Sequence, residues 1–255
     1  CMEYFKIKNI NKIDLIVSDW IKVKRWHRSG PSYNYSMFDY LKEKFKFDKK
    51  KIIQIDHHLA HAASVYYTSN YKESAILIVD GQGSNLESTT YYQGVGNKIK
   101  EVEKYSGHGI GSAYLAITKH VLNLGTGGEG KTMGLAPYGE KHKGKIKIKV
   151  KLDGIENNFS EFMKRQPLQD VLNQVDDKYR SNPIKKGHKF CKNKNHLNPY
   201  FSGIAYDIQK ASEEVMIHLG KDIKKKIKSK KICLAGGVAL NSVANKKLFD
   251  KSNFK

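Results

Sequence analysis

Three histidines, His57, His58 and His61, crowd the stretch "IDHHLAHAASVYYTS" at residues 55–69. On a helix His57 and His61 stand at i and i+4 and point both imidazoles from one face. That is the spacing with which a helix gives two nitrogens to one metal ion. The same spacing also occurs in histidines that merely pack, so the pair needs a third donor to carry meaning. Asp80 is the candidate. It ends the apolar run "ESAILIVDGQGS" (73–84) beside Gly81 and Gly83, where core packing gives a carboxylate no purpose. Two imidazoles and one carboxylate suit Fe2+, Zn2+ or Mn2+ with coordination positions left open. Open positions imply catalysis or ligand capture rather than a closed structural site. His58 points away from the pair. It reads as a supporting or surface histidine, and its pKa range also makes it a candidate general base.

Two glycine turns add a candidate anion cradle. "DGQGS" brings the backbone of Gly81 and Gly83 close to whatever lies beyond the strand. "AGGVALN" does the same with Gly236, Gly237, Val238 and Asn241 ahead of a helix, where free N–H groups and the helix dipole favour phosphate. Either turn alone is explained by sterics. Together, in one chain of strands and helices, they point to a nucleotide held between two lobes.

The elements that must position these residues follow an α/β pattern. Residues 1–10 read as the end of a helix, "IDLIVSD" (13–19) as a buried strand, 20–36 as an aromatic, basic connection and 37–46 as a short helix. "KIIQID" (51–56) alternates toward a strand, and Asp56 is placed to cap a helix starting at His57. Residues 73–80 read as an apolar strand, and 88–106 as two strands joined at Gly94–Asn97. Residues 109–125 show helical periodicity closed by glycine, and "GTGGEGKTMGLAPYG" (125–139) reads as a glycine-dense loop. "KGKIKIKVKLDG" alternates lysine with apolar residues like a strand with one wet face. "GHKFCKNKNHLNP" (187–199) fits no standard zinc spacing and reads as a polar loop. Apolar positions 204, 208, 211, 215, 219, 223 and 227 mark a long amphipathic helix, followed by strand, glycine turn and helix over 230–248.

The chain has 255 residues, 39% of them hydrophobic, enough for a packed core. Its formal net charge of +21 raises nucleic acid or an acidic membrane as partners. Lysine, however, is scattered end to end without an arginine patch interleaved with aromatics, so nucleic acid is not the expected partner. Three cysteines, Cys1, Cys191 and Cys233, form no C-x-x-C pair or even framework. A reducing cytoplasm is therefore expected, with no membrane span and no signal peptide. The sequence opens on Cys1 and stops soon after a helix-like segment begins, so a fold open at both ends is expected.

"DHHLAHAASVYY", "ILIVDGQGS", "GGEGKTMGLAPYG" and "ICLAGGVALNSVAN", in this order, resemble the O-carbamoyltransferases. Those enzymes decorate nodulation factors and aminoglycoside, cephamycin and aminocoumarin antibiotics. The resemblance extends over most of the chain and is weakest at 140–200. It implies an actin-like ATPase fold, a duplicated ribonuclease H-like architecture shared with the universal tRNA threonylcarbamoyl-adenosine synthesis protein. On that basis 1–139 is a first subdomain lacking its opening strands, 140–200 an insertion or connecting segment, and 201–255 the start of a second subdomain. The resemblance further implies His57, His61 and Asp80 as metal ligands, Fe2+ first and Zn2+ or Mn2+ otherwise. A fourth ligand, an aspartate of a later glycine-rich motif, would lie beyond the end of this sequence. Asp80, His58 and Lys131 become candidate catalytic residues. Gly81, Gly83, Glu129, Gly236, Gly237, Val238 and Asn241 become candidate nucleotide contacts. Glu129 and Lys131 would lie near ribose, phosphate or acceptor, or else form a surface ion pair. The implied chemistry is carbamoyl transfer from carbamoyl-adenylate to a hydroxyl of a sugar-like small molecule. A C-terminal domain would make that donor from carbamoyl phosphate and ATP. The alternatives are a tRNA-modification protein of the same fold and an inactive fragment. "MGLAPYG" and "GGVALN" together favour the small-molecule enzymes.

Overall fold

The computed structural model describes residues 9, 12–19, 45–107, 109–146, 148 and 198–254. The helix end expected at 1–10, the connection at 20–36, nearly all of the helix at 37–46 and the readings within 149–197 lie outside the described residues. Two sheets form. Strands β1 (Ile16–Ser18) and β2 (Ile52–Gln54) pair in parallel. Helix α1 (His57–Tyr66) follows β2 directly, and Asp56 caps it by accepting from the Leu59 amide at 3.0 Å. Strands β3 (Glu73–Val79), β4 (Glu87–Val95) and β5 (Lys98–Ser106) make an antiparallel meander, with Gly96 at φ +58° in the β4–β5 turn.

Helix α2 (Ile110–Ala116) runs on into a π-turn, Ile117–Val121. Helix α3 (Glu129–Leu135) leads into a 3-10 segment, Ala136–His142, with Pro137 in its first turn. The long helix α4 covers Pro199–Lys226 and is capped by Asn198. Strand β6 (Ile232–Ala235), a 3-10 turn at Gly237–Leu240 and helix α5 (Ser242–Ser252), capped by Asn241, complete the described chain. Strand β6 pairs in parallel with β3, so the larger sheet has the order β5-β4-β3-β6.

Strand β3 explains why this sheet is the centre of the molecule. Its run from Ser74 to Val79 is buried throughout, as the unbroken apolar sequence requires of a strand covered on both faces. Alternation then sorts the side chains into two layers. Ala75, Leu77 and Val79 join Ile204, Ile208, Met216 and Leu219 of α4 in the larger core. Ile76 and Ile78 pack with Ala62 and Tyr66 of α1, Tyr92 and Cys233 in the smaller one. Ile204, Ile208 and Leu219 are wholly buried, and each such side chain contributes about 1.5–3 kcal/mol.

One sequence expectation differs from this architecture. The glycine-dense segment at 125–139 is not all loop. Residues from Glu129 onward are helical because α3 packs on the core through Thr132 and Leu135, and Thr132 shares a 2.8 Å hydrogen bond with buried Thr118. The larger sheet takes strands from both sides of residues 140–200, with β6 pairing beside β3. Among the described residues no helix is long and apolar enough to cross a membrane.

Candidate metal centre and nucleotide cavity

Helix α1 and strand β3 deliver the donors. His57 and His61, one turn apart on α1, turn their Nε2 atoms toward each other at 3.2 Å. Asp80, the residue after β3, places Oδ2 3.0 Å from His57 Nε2 and 3.4 Å from His61 Nε2. All three residues are partly buried, and their donor atoms lie within 4.8 Å of one another. Metal–ligand bonds of about 2.0–2.2 Å leave neighbouring donors about 3–3.5 Å apart, so the set fits a divalent cation without rearrangement.

The other Asp80 oxygen is equally occupied. Oδ1 accepts from the Gly81 amide at 2.7 Å and the Gly237 amide at 3.0 Å. Burial by itself raises the Asp80 carboxyl pKa. Hydrogen bonds from His61, the Gly237 and Gly81 amides and His57 outweigh it and hold the group well below the usual carboxylate range. His57 moves the opposite way. Burial pushes its pKa down, but hydrogen bonds to Asp80 and Asp19 prevail and raise it. Asp19, just after β1, was not singled out in the sequence, yet its Oδ2 accepts from His57 Nδ1 at 2.8 Å.

His58 is placed elsewhere. It is completely buried, with Nδ1 2.7 Å from Thr90 Oγ1. Burial pushes its imidazole down to about 4, so it is neutral at pH 7. It anchors α1 to β4 and is not among the residues lining the cavity beside the cluster.

That cavity, about 510 Å³, includes Asp80, Gly81, Gly237, Val238 and Asn241 in its lining, along with Glu129 of the glycine-rich segment. Its walls are largely apolar, through Tyr114, Leu115, Met133 and Leu240. Gly236 precedes Gly237 but is not itself among the lining residues. With φ +92° and Val79 O in contact with any Cβ there, the position admits glycine alone. The turn is a 3-10 element, and Asn241 rather than the second glycine caps the following α-helix. Asn241 also exchanges hydrogen bonds with Gln209 of α4, at 2.8 and 3.2 Å. Gln209 in turn accepts from Tyr114 Oη at 3.0 Å. Gly83 and Lys131 lie apart from the cavity. Gly83 packs on the buried Glu87 side chain, and Lys131 is exposed on α3. Ser212 is a residue that sequence reasoning missed. It lines the cavity, and its buried hydroxyl has no hydrogen-bond partner among the described residues. On the amphipathic helix it looks like any small buried residue.

Similar proteins bear on this site. An uncharacterized protein of Synechocystis, sll1178, is 33% identical over 209 residues, covering 78% of this chain and 32% of that protein. The nodulation protein NolNO of Sinorhizobium fredii is 26% identical over 209 residues, 82% of this chain and 28% of its own length. The nodulation protein NolO of Bradyrhizobium diazoefficiens is 25% identical over 195 residues, 76% of this chain and 33% of its own. The chain thus spans about a third of the length of the curated relatives it matches. Among solved structures, T. kodakarensis HypF aligns with 98% of this chain and 38% of its own, at 17% identity and a TM-score of 0.47. The family model described as carbamoyltransferase N-terminus matches residues 8–255, nearly the whole chain, and the chain belongs to that family.

Proposed function

We propose that this chain is the transferring part of an O-carbamoyltransferase, which moves a carbamoyl group from carbamoyl-adenylate to a hydroxyl of a sugar-like small molecule. The observation that carries this reading is the position of Asp80. One carboxylate completes the His57/His61 donor set and also lines a nucleotide-sized cavity. In the transfer, the acceptor oxygen forms a bond to the carbamoyl carbon. The bond from that carbon to the phosphate oxygen breaks, and AMP leaves with the electron pair while the hydroxyl proton passes to base or solvent. His57, His61 and Asp80 would hold a divalent cation, Fe2+, Zn2+ or Mn2+. That cation supplies Lewis-acid polarisation of the carbonyl.

The remaining work belongs to the chain's own residues. The apolar walls at Tyr114, Leu115 and Met133 exclude water from the donor, which limits its hydrolysis. The unpartnered Ser212 hydroxyl offers a hydrogen bond to a polar edge of the nucleobase. Glu129, in the cavity lining, would accept from a ribose hydroxyl. The Gly236–Gly237 turn brings bare backbone where the phosphate needs it. The sheet order β5-β4-β3-β6, an antiparallel meander followed by a parallel strand, also supports an actin-like, ribonuclease H-like architecture. In that assignment β3 to β6 make one unit, and β1 with β2 belong to another.

The test is a transfer assay on the full-length protein. Carbamoyl-adenylate and a panel of sugar alcohols and glycosides are supplied, and AMP release is read together with carbamoylated product by mass spectrometry. Asp80→Asn should lower turnover by more than about 10-fold, since even groups that only orient metal ligands are worth about 10–100-fold. Transfer by Asp80→Asn at the wild-type rate would refute the mechanism.

A further inference from the structure

We propose that Asp19 is a positioning residue for the metal centre: it fixes the proton of His57 on Nδ1 and thereby aims the Nε2 lone pair into the cluster. The inference rests on the reading of His57, His61 and Asp80 as a metal site. A neutral imidazole has one proton for two nitrogens, and only the unprotonated nitrogen can bind a cation. A carboxylate can only accept, so Asp19 Oδ2, 2.8 Å from Nδ1, requires the proton there. His57 Nε2 then faces Asp80 and His61 Nε2.

Among the described residues the Asp19 side chain has no other hydrogen-bond partner. Its side chain is 45% exposed, so it does not fill a core, whereas that of His57 is only 16% exposed. It follows β1 immediately, and that strand end is already tied by the backbone to the residue before the α1 cap: the Ile55 amide donates to Ser18 O at 2.9 Å. The contact between Asp19 and His57 is thus added to an existing junction and is not needed to form it. Its consequence falls on the ring, whose rotation and tautomer it sets. The same link makes the smaller sheet a structural contributor to a site otherwise built by α1 and β3.

The experiment measures Zn2+ binding by the full chain, by competition with a chromophoric chelator, for wild type, Asp19→Ala, Asp19→Asn and the double variant His57→Ala/His61→Ala. Asp19→Ala should weaken Zn2+ about 10–100-fold. Asp19→Asn keeps an acceptor oxygen and should recover part of the loss. In the Zn2+-loaded wild type the His57 Nδ1–H, held on Asp19, should give a downfield, slowly exchanging proton signal. Asp19→Ala should lose that signal while its far-UV circular dichroism stays unchanged. Wild-type affinity in Asp19→Ala, or a wild type without the ring proton, would overturn the proposal while leaving the metal site intact. Equal Zn2+ binding by wild type and the double variant would remove the metal site itself, and the proposal with it.

Discussion

Asp80 divides its two carboxylate oxygens between two tasks, one toward the histidines and one toward the amides of Gly81 and Gly237. His58 divides from its neighbours in the same way, one residue from a donor yet pointing into the packed layer between α1 and β4. This separation makes its role testable without disturbing the cluster. Thr90→Val removes the hydroxyl on His58 Nδ1 and keeps the shape. A buried ring nitrogen left without a partner costs about 1–3 kcal/mol, and His58 Nε2 already has none among the described residues. Urea unfolding should therefore show a loss of that size, with Zn2+ affinity unchanged. An unaltered unfolding midpoint would mean that Thr90 does not anchor His58. The contrast also shows which parts of the site the sequence could reveal. His57, His61 and Asp80 stand out because an i, i+4 imidazole pair and a strand-end carboxylate are chemically conspicuous in themselves. Asp19 also ends an apolar strand, but its meaning depends on a contact 38 residues away. Ser212 and Gln209 are hidden because a buried polar residue on a long helix has the same signature whether it faces a ligand or a neighbour.

At the scale of elements, the turn between β6 and the following 3-10 segment governs how the two glycine loops meet. Gly236 has φ +92° and ψ 166°, a conformation essentially confined to glycine, and costs of order 1–3 kcal/mol for other residues. A Cβ at Gly236 would also meet Val79 O, and one at Gly237 would lie 2.9 Å from Asp80 Oδ1. Gly236→Ala is expected to lower stability by at least that range, read by thermal or denaturant unfolding. Gly237→Val sets a branched side chain against the Asp80 carboxylate and displaces it, so it should weaken both Zn2+ and adenine nucleotide binding in parallel titrations. Loss of nucleotide binding alone would show that the Gly237–Asp80 contact does not matter to the cluster. Local patterns located helix α4, strand β3 and the cap at Asp56 because periodicity and capping are properties of short windows. They could not locate α3. Gly130 and Gly134 each weaken a helix by about 1 kcal/mol, and only packing of Thr132 and Leu135 on distant residues offsets that. Nor could they reveal the pairing of β3 with β6, which joins positions separated by most of the chain.

Over the whole molecule, the charge of +21 is the property that most invites a different reading. Its placement among the described residues argues against one. Exposed lysines Lys221, Lys225, Lys228 and Lys230 gather around the C-terminal end of α4 and the turn into β6, where cations offset the helix dipole. Others are engaged within the fold, as Lys226 is with Glu103 and Asp222, and Lys104 with Glu101 and Asp56. The cavity is lined by no lysine or arginine among the described residues, so this basic surface is not part of it. A lysine surface of this kind attracts any polyanion through counterion release, without reading sequence. RNA should therefore bind with a dissociation constant of about 10⁻⁴–10⁻⁶ M at physiological salt. Affinity should fall steeply as salt rises and should not distinguish one tRNA from a scrambled sequence of equal length. Fluorescence anisotropy across a salt series, with a tRNA panel and a homopolymer, measures both properties. Nanomolar binding to one tRNA at physiological salt, resistant to added homopolymer, would overturn the small-molecule assignment. It would point instead to an RNA acceptor positioned over the same Asp80 cavity.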